Sequence, residues 1–290
     1  MTTIESRLAD VTLQSLVYGP ADGPLAICLH GFPDTPNTFR HLAPRLVDLG
    51  YRVVAPFMRG YSPSSVSATH NYQVAALAND ACVLHEMLGG DERAVLIGHD
   101  WGAAATYGAA AAEPDRWSRA VTLAIPPLIG FAKSMSNFEQ LRASWYMFYL
   151  QSPMAEGVVR QNNFEFISKL WAPWSPDYEA DFDLGLVRDS LQGGAHLSAA
   201  LGYYAALFDR TEPVDPVTTT FRDSMFRPPT VPTIYLHGEM DGCFMASSIG
   251  EPLSHMAPGS EFDIVPGVGH FLHLERPFEV NQLIEKFLTR

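Results

Sequence analysis

The sequence predicts an α/β fold whose mostly parallel, doubly wound sheet is interrupted by a helical insertion. Strand and helix patterns alternate over the first 125 residues, as they do in βαβ units. The segment 128–229 is crowded with aromatic residues and has no clear strand pattern, and two strand patterns return after it. We therefore expect a core formed by 1–127 and 230–290, with 128–229 as a helical cap inserted after the fourth to sixth core strands.

The predicted strands are short apolar runs bounded by glycine, proline or charged residues, a pattern typical of parallel strands that are covered on both faces. They lie at 25–30, 51–55, 94–98, 120–125, 233–237 and 261–265. Helical patterns separate or follow these runs, and they lie at 38–49, 72–88, 102–112 and 277–288. This alternation favours a parallel sheet with helices on both of its faces.

The composition excludes several classes of protein. A length of 290 residues suits one large domain, or a core that carries an insertion. Hydrophobic residues make up 47% and charged residues 18%, which excludes a disordered chain. The net charge of −13 argues against nucleic acid and anionic membranes as partners. The N-terminus lacks a basic segment followed by an apolar one, so we expect a soluble cytoplasmic protein.

The cysteine and histidine patterns give no sign of a metal centre. Cys28, Cys82 and Cys243 are odd in number and widely spaced, so they predict neither a disulfide framework nor a zinc cluster. His270 and His273 have a spacing that metal ligands adopt, but no cluster of further ligands is evident in the sequence. Phosphate-binding glycine-rich motifs are also absent from the sequence, and we expect no metal or organic cofactor.

The segment GHDWG at 98–102 follows a predicted strand and opens an alanine-rich helix. This context is typical of a nucleophile elbow, a tight strand–turn–helix that presents one side chain and tolerates little bulk beside it. The side chain presented is the carboxylate of Asp100, and no G-x-S-x-G motif occurs in the sequence. Because ligands of open α/β sheets bind at the carboxyl ends of the strands, we place a candidate site here.

Two later segments also follow predicted strands: HGEMD at 237–241 and GVGH at 267–270. They bring Asp241 and His270 to the same end of the sheet as Asp100. The order Asp100, Asp241, His270 is the nucleophile–acid–base order of α/β-hydrolases. We therefore predict these three residues as the catalytic set.

The segment HGFPD at 30–34 stands where α/β-hydrolases supply a backbone N–H group to an oxyanion hole. We expect the N–H groups of Phe32 and Trp101 to be its two donors. Together the four motifs resemble those of the α/β-hydrolase-fold epoxide hydrolases, over nearly the whole chain. The pair Asp100–Trp101 narrows the resemblance to enzymes with an aspartate nucleophile, which epoxide hydrolases share with haloalkane dehalogenases.

The resemblance implies the α/β-hydrolase fold and a two-step reaction in which a small apolar epoxide and water give a vicinal diol. Asp100 is already ionised near neutral pH, so it can attack an sp³ carbon directly and form an alkyl-enzyme ester. His270, oriented by Asp241, would then activate the water that hydrolyses this ester. We expect a monomer or a homodimer.

Opening an epoxide produces an alkoxide that needs a proton, and two protonated tyrosines suit that task. The segment 144–153 is similar to the family's first tyrosine segment and selects Tyr146, and the segment 201–205 is similar to the second and selects Tyr204. Relatives often carry Arg after the second tyrosine, where this chain has Ala205. The neighbouring Tyr203 leaves the register open by one residue.

The aromatic cap predicts an aromatic or alkyl-substituted substrate. The residues expected to bind it are Phe32, Trp101, Trp145, Tyr149 and Tyr203. A haloalkane dehalogenase is the first alternative, although its family usually has Asn where this chain has Phe32, so Trp171 or Trp174 would have to supply a second halide donor. A non-catalytic ligand-binding member of the same fold is the second alternative, and the presence of all three triad residue types argues against it.

Overall fold

The computed structural model describes residues 1–207 and 216–290, and an eight-stranded sheet lies at its centre. The strands are β1 (Thr2–Arg7), β2 (Thr12–Tyr18), β3 (Leu25–Leu29), β4 (Arg52–Pro56), β5 (Val95–His99), β6 (Arg119–Leu123), β7 (Thr233–Gly238) and β8 (Glu261–Val265). Their order across the sheet is β1-β2-β4-β3-β5-β6-β7-β8, and the strands from β4 to β8 pair in parallel. The mostly parallel α/β fold predicted from the sequence is confirmed.

The antiparallel edge formed by β1 and β2 was not predicted. β1 pairs with β2, and β2 pairs with β4, both in the antiparallel sense. β1 is the strand at one edge of the sheet, and five of its six residues are exposed or half-buried. β2 lies between β1 and β4, but Thr12, Gln14 and Ser15 interrupt its apolar residues. Neither strand therefore has the continuous apolar run by which the buried parallel strands are identified.

Helices cover both faces of the sheet, as the apolar strands require. The core helices are α1 (Ala43–Asp48), α2 (Val74–Met87), α3 (Trp101–Ala112), α12 (Leu272–Glu275) and α13 (Pro277–Leu288). α2 and α3 pack on one face, and α1, α12 and α13 pack on the other. The helix predicted at 38–49 is divided into a 3₁₀ turn at Pro36–Arg40 and the short helix α1.

Between β6 and β7 the described residues are helical and contain no strand. The helices are α4 (Leu128–Ser134), α5 (Phe138–Ala143), α6 (Trp145–Tyr149), α7 (Ala155–Val159), α8 (Gln161–Trp174), α9 (Asp181–Leu191), α10 (His196–Leu207) and α11 (Pro216–Ser224). Residues 208–215 of the predicted cap lie outside the described residues. α11 packs against the core helices α2 and α3. In the described parts of the chain, every helix is too short or too polar to cross a membrane.

Candidate active site

Asp100 stands at a sharp turn between β5 and α3. Its backbone has φ of +53° and ψ of −118°, a conformation that costs a non-glycine residue about 1–3 kcal/mol. The turn is possible because its neighbours are small. A Cβ atom on Gly98 would collide with the carbonyl of Gly102, and one on Gly102 would collide with the carbonyl of Leu29. The strained turn thus presents the Asp100 side chain at the carboxyl end of β5.

Backbone donors lie beside the Asp100 carboxylate. The N–H group of Phe32 donates to Oδ1 of Asp100 at 2.8 Å. Trp101 is the first residue of α3, so its N–H group has no partner within the helix. Gly31 leaves the room that the carboxylate needs, because a Cβ atom there would overlap the carboxyl group of Asp100. The two predicted N–H donors, those of Phe32 and Trp101, therefore belong to the loop after β3 and to the first residue of α3.

The loops after β7 and β8 bring Asp241 and His270 to Asp100. Nδ1 of His270 lies 2.9 Å from Oδ2 of Asp241, and its Nε2 lies 3.6 Å from Oδ2 of Asp100. Asp241 also accepts hydrogen bonds at Oδ1 from the N–H groups of Cys243 (2.7 Å) and Phe244 (2.9 Å). All three predicted catalytic side chains are buried and in mutual reach.

The backbone of His270 is held on both sides. Its N–H group donates to the carbonyl of Trp174 at 2.8 Å, and its carbonyl accepts a hydrogen bond from Nε2 of His99 at 3.0 Å. His99 therefore points into the fold beneath the elbow. Because these contacts come from α8 and β5, two separate elements fix the position of the His270 ring.

The triad members shift each other's ionisation. Burial would raise the pKa of Asp241, but the charge and hydrogen bond of His270 lower this pKa below its usual range. Burial would lower the pKa of His270, but Cys243 and the two carboxylates raise that pKa well above its usual value. Each shift has the same physical cause, since an opposite charge a few ångströms away favours the ionised form. The free site therefore stabilises an imidazolium between two carboxylates.

Tyr146 and Tyr204 face each other across the site. Their ring centroids are 5.8 Å apart and their planes are nearly perpendicular. The Tyr146 hydroxyl lies 3.0 Å from Sγ of Cys243, while the Tyr204 ring packs edge-on against the rings of Phe32 and Trp101. Burial raises the pKa of both phenols well above the usual value, and the charge of Asp100 adds to the increase. Both hydroxyls therefore keep their protons at neutral pH.

The structure distinguishes the two adjacent tyrosines of α10. The Tyr203 hydroxyl donates to the carbonyl of Arg59 at 2.8 Å, and its ring stacks on that of Tyr72. It packs against the segment after β4, whereas Tyr204 lines the cavity. The sequence left open which of the two tyrosines faces the site. In the structure Tyr204, and not Tyr203, lies beside Asp100.

A cavity of about 310 Å³ extends from Asp100 under the helices that follow β6. Its lining is largely apolar, and Asp100 is its only charged residue among the described residues. The lining includes Trp101, Ala104, Ile125, Leu128, Phe131, Met135, Tyr146, Met147, Tyr204, Met225, Cys243 and Phe244. A volume of this size suits a small organic ligand.

Of the five residues predicted to bind substrate, only Trp101 lines this cavity. Trp145 is half exposed, and its ring packs against that of Tyr149, whereas the buried Tyr146 of the same helix lines the cavity. Tyr203 is turned toward Arg59. Phe32 reaches the site through its backbone N–H, and its ring supports Tyr204. The structure thus places Trp145, Tyr149, Tyr203 and the Phe32 ring outside the lining of this cavity, and their contact with a substrate stays a prediction.

Two residues of the site had no recognised signal in the sequence. The sequence predicted only that Cys243 belongs to neither a disulfide framework nor a zinc cluster, and in the structure Cys243 lines the cavity beside Tyr146. Gln140 of α5 donates to the Cys243 carbonyl at 3.1 Å and accepts from the N–H group of Met245 at 2.9 Å. These bonds tie the first cap helices to the loop that carries Asp241. A lone Gln or Cys carries no motif, so only the folded chain identifies them.

Two groups of side chains among the described residues have the donor types and spacing of metal ligands. One consists of Asp100, Cys243 and His270, and the other of Asp34, His99 and His273. In each group the donor atoms lie within 4.8 Å of one another and the residues are buried.

Comparisons with known proteins place this geometry in context. A family model described as alpha/beta hydrolase fold matches residues 24–277. The AB hydrolase superfamily protein YfhM of Bacillus subtilis is 28% identical over 96% of this chain and 94% of its own length. Epoxide hydrolase A of Mycobacterium tuberculosis is 27% identical, with 98% of this chain and 97% of that protein covered.

A solved structure gives the same result. It is described among novel epoxide hydrolases from metagenomes of hot environments, and it matches with a TM-score of 0.80 and 26% identity. The match covers 99% of this chain and 99% of that chain. The resemblance to epoxide hydrolases that the four motifs predict is thereby confirmed.

Proposed function

The chain belongs to the alpha/beta hydrolase fold family, and from this membership and its site we propose that it is an epoxide hydrolase that converts an apolar epoxide to a vicinal diol. One observation carries the proposal. A carboxylate at a strained elbow faces the same apolar cavity as two buried phenol hydroxyls, those of Tyr146 and Tyr204. This arrangement pairs a nucleophile with proton donors for the oxygen that leaves when an epoxide opens.

In the first step, Asp100 attacks an epoxide carbon. A bond forms between a carboxylate oxygen and this carbon, and the carbon–oxygen bond of the ring breaks. Tyr146 and Tyr204 bind the epoxide oxygen and supply the proton that its alkoxide takes up. The high pKa of both phenols keeps these protons in place until the alkoxide forms.

In the second step, neutral His270 removes a proton from water, and the hydroxide attacks the ester carbonyl of Asp100. The bond between this carbonyl carbon and the substrate oxygen then breaks, and the diol oxygen takes the proton from His270. Asp100 returns to the carboxylate by passing its proton to His270. The Phe32 N–H, already 2.8 Å from Oδ1, and the Trp101 N–H would stabilise the oxyanion. Formation of the ester removes the charge of Asp100, which lowers the pKa of His270. The imidazolium can then return a proton to the tyrosinate that the first step leaves, and the neutral ring acts as the base. Asp241 stabilises the imidazolium that results.

The cavity supports an apolar substrate. Ile125, Leu128, Phe131, Met135 and Met147 cover its walls. A polar substituent on the epoxide would be desolvated there and would gain no hydrogen bond from these side chains, which costs binding free energy. We therefore expect styrene oxide and alkyl-substituted epoxides to be hydrolysed with higher kcat/KM than glycidol. A preference for small polar epoxides would contradict this substrate class.

The dehalogenase alternative lacks a halide donor at the expected places. Phe32 has no side-chain donor, and the Trp171 indole N–H is already donated to the carbonyl of Pro33 at 3.1 Å. Trp174 packs against the rings of Tyr146 and His270, and it is not among the described residues that line the cavity. This leaves the Trp101 indole as the remaining candidate donor, which would under-coordinate a halide ion.

The proposal is tested with purified protein, styrene oxide and, separately, 1,2-dibromoethane. We expect diol from the epoxide and no bromide from the dibromoalkane. With His270→Gln, the first step should proceed and the second should stop, so the peptide that contains Asp100 should gain the mass of styrene oxide. Asp100→Asn serves as the control, because it should form neither adduct nor diol.

Each other result has a definite meaning. Bromide without diol would assign a dehalogenase and leave Tyr146 and Tyr204 as packing residues. An adduct on a residue other than Asp100 would contradict the assignment of the nucleophile. No turnover of either compound class, with tight ligand binding retained, would favour a non-catalytic binding protein.

A further inference from the structure

We propose that a thiophilic divalent cation such as Zn²⁺ or Cd²⁺ binds directly to Asp100, Cys243 and His270 and inactivates the enzyme. Each residue offers one donor atom, and the three donor atoms lie within 4.8 Å of one another. All three residues are buried. The site would therefore occupy the same place as the proposed nucleophile and base.

The ring nitrogen of His270 that faces the site is available for a metal ion. Nδ1–H donates to Oδ2 of Asp241 at 2.9 Å, so when the imidazolium loses its other proton the lone pair of the ring lies on Nε2. Nε2 is fully buried and has no hydrogen-bond partner. This is the carboxylate–histidine–metal arrangement in which an outer carboxylate orients a ligating imidazole.

The other two donors are also supported by outer partners. Phe32 N–H holds Oδ1 of Asp100, so Oδ2 is left to face Nε2 of His270 at 3.6 Å. The Tyr146 hydroxyl lies 3.0 Å from Sγ of Cys243 and can donate its hydrogen bond to a metal-bound thiolate. Each of the three ligands thus has a second contact that fixes its orientation.

The donor set determines the kind of cation. Sulfur, imidazole nitrogen and carboxylate oxygen suit Zn²⁺ and softer ions, and three protein ligands leave one tetrahedral position open. Mg²⁺ and Ca²⁺ prefer oxygen ligands alone and are not expected to bind here. Binding releases two protons, one from the Cys243 thiol and one from Nε2 of the His270 imidazolium, after which two anionic ligands balance the charge of the ion. The donor atoms of tetrahedral zinc ligands lie about 3.3–3.8 Å from one another. The three donor atoms here lie within 4.8 Å, so the side chains would need to move only about 1 Å closer together to bind the ion.

Occupancy by the metal would stop both steps of the reaction. The ion would bind the lone pair of His270, so the ring could not act as a base. It would also bind a carboxylate oxygen of Asp100, so this oxygen could not attack the epoxide. Inhibition should therefore be competitive with the epoxide and reversed by a chelator. Binding itself needs no turnover, so it can be measured even if the proposed activity is wrong.

The first test is a titration of the whole protein with Cd²⁺, followed by the ultraviolet charge-transfer band of cadmium thiolate. We expect one tightly bound ion per chain. Cys243→Ala should abolish the band and weaken binding more than about 100-fold, since even outer-shell partners typically change affinity 10- to 100-fold. Cys82→Ala is the matched control, because it removes a buried thiol that lies in neither metal-ligand group and should keep the wild-type titration.

A second variant tests the other side of the site. His270→Gln should retain the thiol but weaken Cd²⁺ binding by a similar factor. If Cys243→Ala bound Cd²⁺ as tightly as the wild type, the ion would lie elsewhere, for example at Asp34, His99 and His273, and the proposal would be overturned. Equal binding of Mg²⁺ would overturn it as well, because that result would indicate attraction by surface carboxylates alone.

Discussion

Tyr203 and Tyr204 are adjacent in the chain, but their hydroxyl groups lie on different sides of α10. The Tyr203 hydroxyl donates to the carbonyl of Arg59 at 2.8 Å, while Tyr204 lines the cavity opposite Tyr146. Consecutive residues of a helix point about 100° apart, so both cannot face Asp100. The pair therefore provides a catalytic candidate and its natural control.

The phenylalanine variants of this pair should separate catalysis from packing. Tyr204→Phe removes a proton donor to the epoxide oxygen and should lower kcat about 10²-fold. Tyr203→Phe leaves the site intact and should keep kcat within about threefold of wild type, while lowering the free energy of unfolding by about 1 kcal/mol. Steady-state kinetics and urea unfolding check both values. Equal kinetic losses in the two variants would contradict the assignment of Tyr204.

The pH dependence of ester hydrolysis should report the charge of His270. The neutral ring is the base, so the rate should fall as the pH falls through its pKa. Burial lowers this pKa, but Cys243 and the carboxylates raise it well above its usual value in the free protein. The ester removes one of these charges, so the midpoint in the intermediate should lie at lower pH than the His270 titration in the free protein. Single-turnover rates and NMR titration test the difference, and a midpoint at higher pH would refute it.

A glycine beside the nucleophile should be needed for activity. A Cβ atom in Gly31→Ala would overlap the carboxylate of Asp100 and displace it, which should lower kcat/KM about 10²-fold. Gly157→Ala in α7 is the control, since its Cβ atom would meet no other atom within 4 Å. That change should raise the free energy of unfolding by about 0.5–1 kcal/mol and leave kcat/KM unchanged. Comparable activity of the two variants would show that the close approach at Gly31 is tolerated.

The buried ion pair of Arg59 should support the position of α10. Arg59 makes two hydrogen bonds of 2.7 Å to Asp80, and its backbone carbonyl accepts the hydrogen bond of Tyr203. Asp80→Ala leaves a buried guanidinium without its main partner and should lower the free energy of unfolding by about 3–5 kcal/mol. Glu165→Ala breaks the exposed pair with Lys169 and should change the free energy of unfolding far less, because solvent screens this pair. Denaturant unfolding of both variants measures the contrast.

The parallel core could be predicted because its strands are apolar on both faces. Runs such as 25–30 and 94–98 have no other stable place than the centre of a covered sheet, and the structure has strands at Leu25–Leu29 and Val95–His99. β1 was missed because an edge strand keeps a polar, exposed side, and β2 was missed because Thr12, Gln14 and Ser15 interrupt its apolar residues. The helix predicted at 38–49 begins with a 3₁₀ turn, a difference that a periodic pattern does not resolve.

The sequence by itself determined which chemical groups stand at the ends of the strands. Short motifs around Phe32, Asp100, Asp241 and His270 specify turns, and parallel strands bring such turns to one edge of the sheet. Only the tertiary structure decided which side chains of the helices face Asp100. It excluded Trp145 and Tyr149, selected Tyr204, and brought Cys243 to within reach of His270. The physical reason is that the outcomes for the helices depend on the rotation of each helix about its axis, and that of Cys243 depends on the path of the loop after β7. Both are fixed by packing against residues far away in the chain.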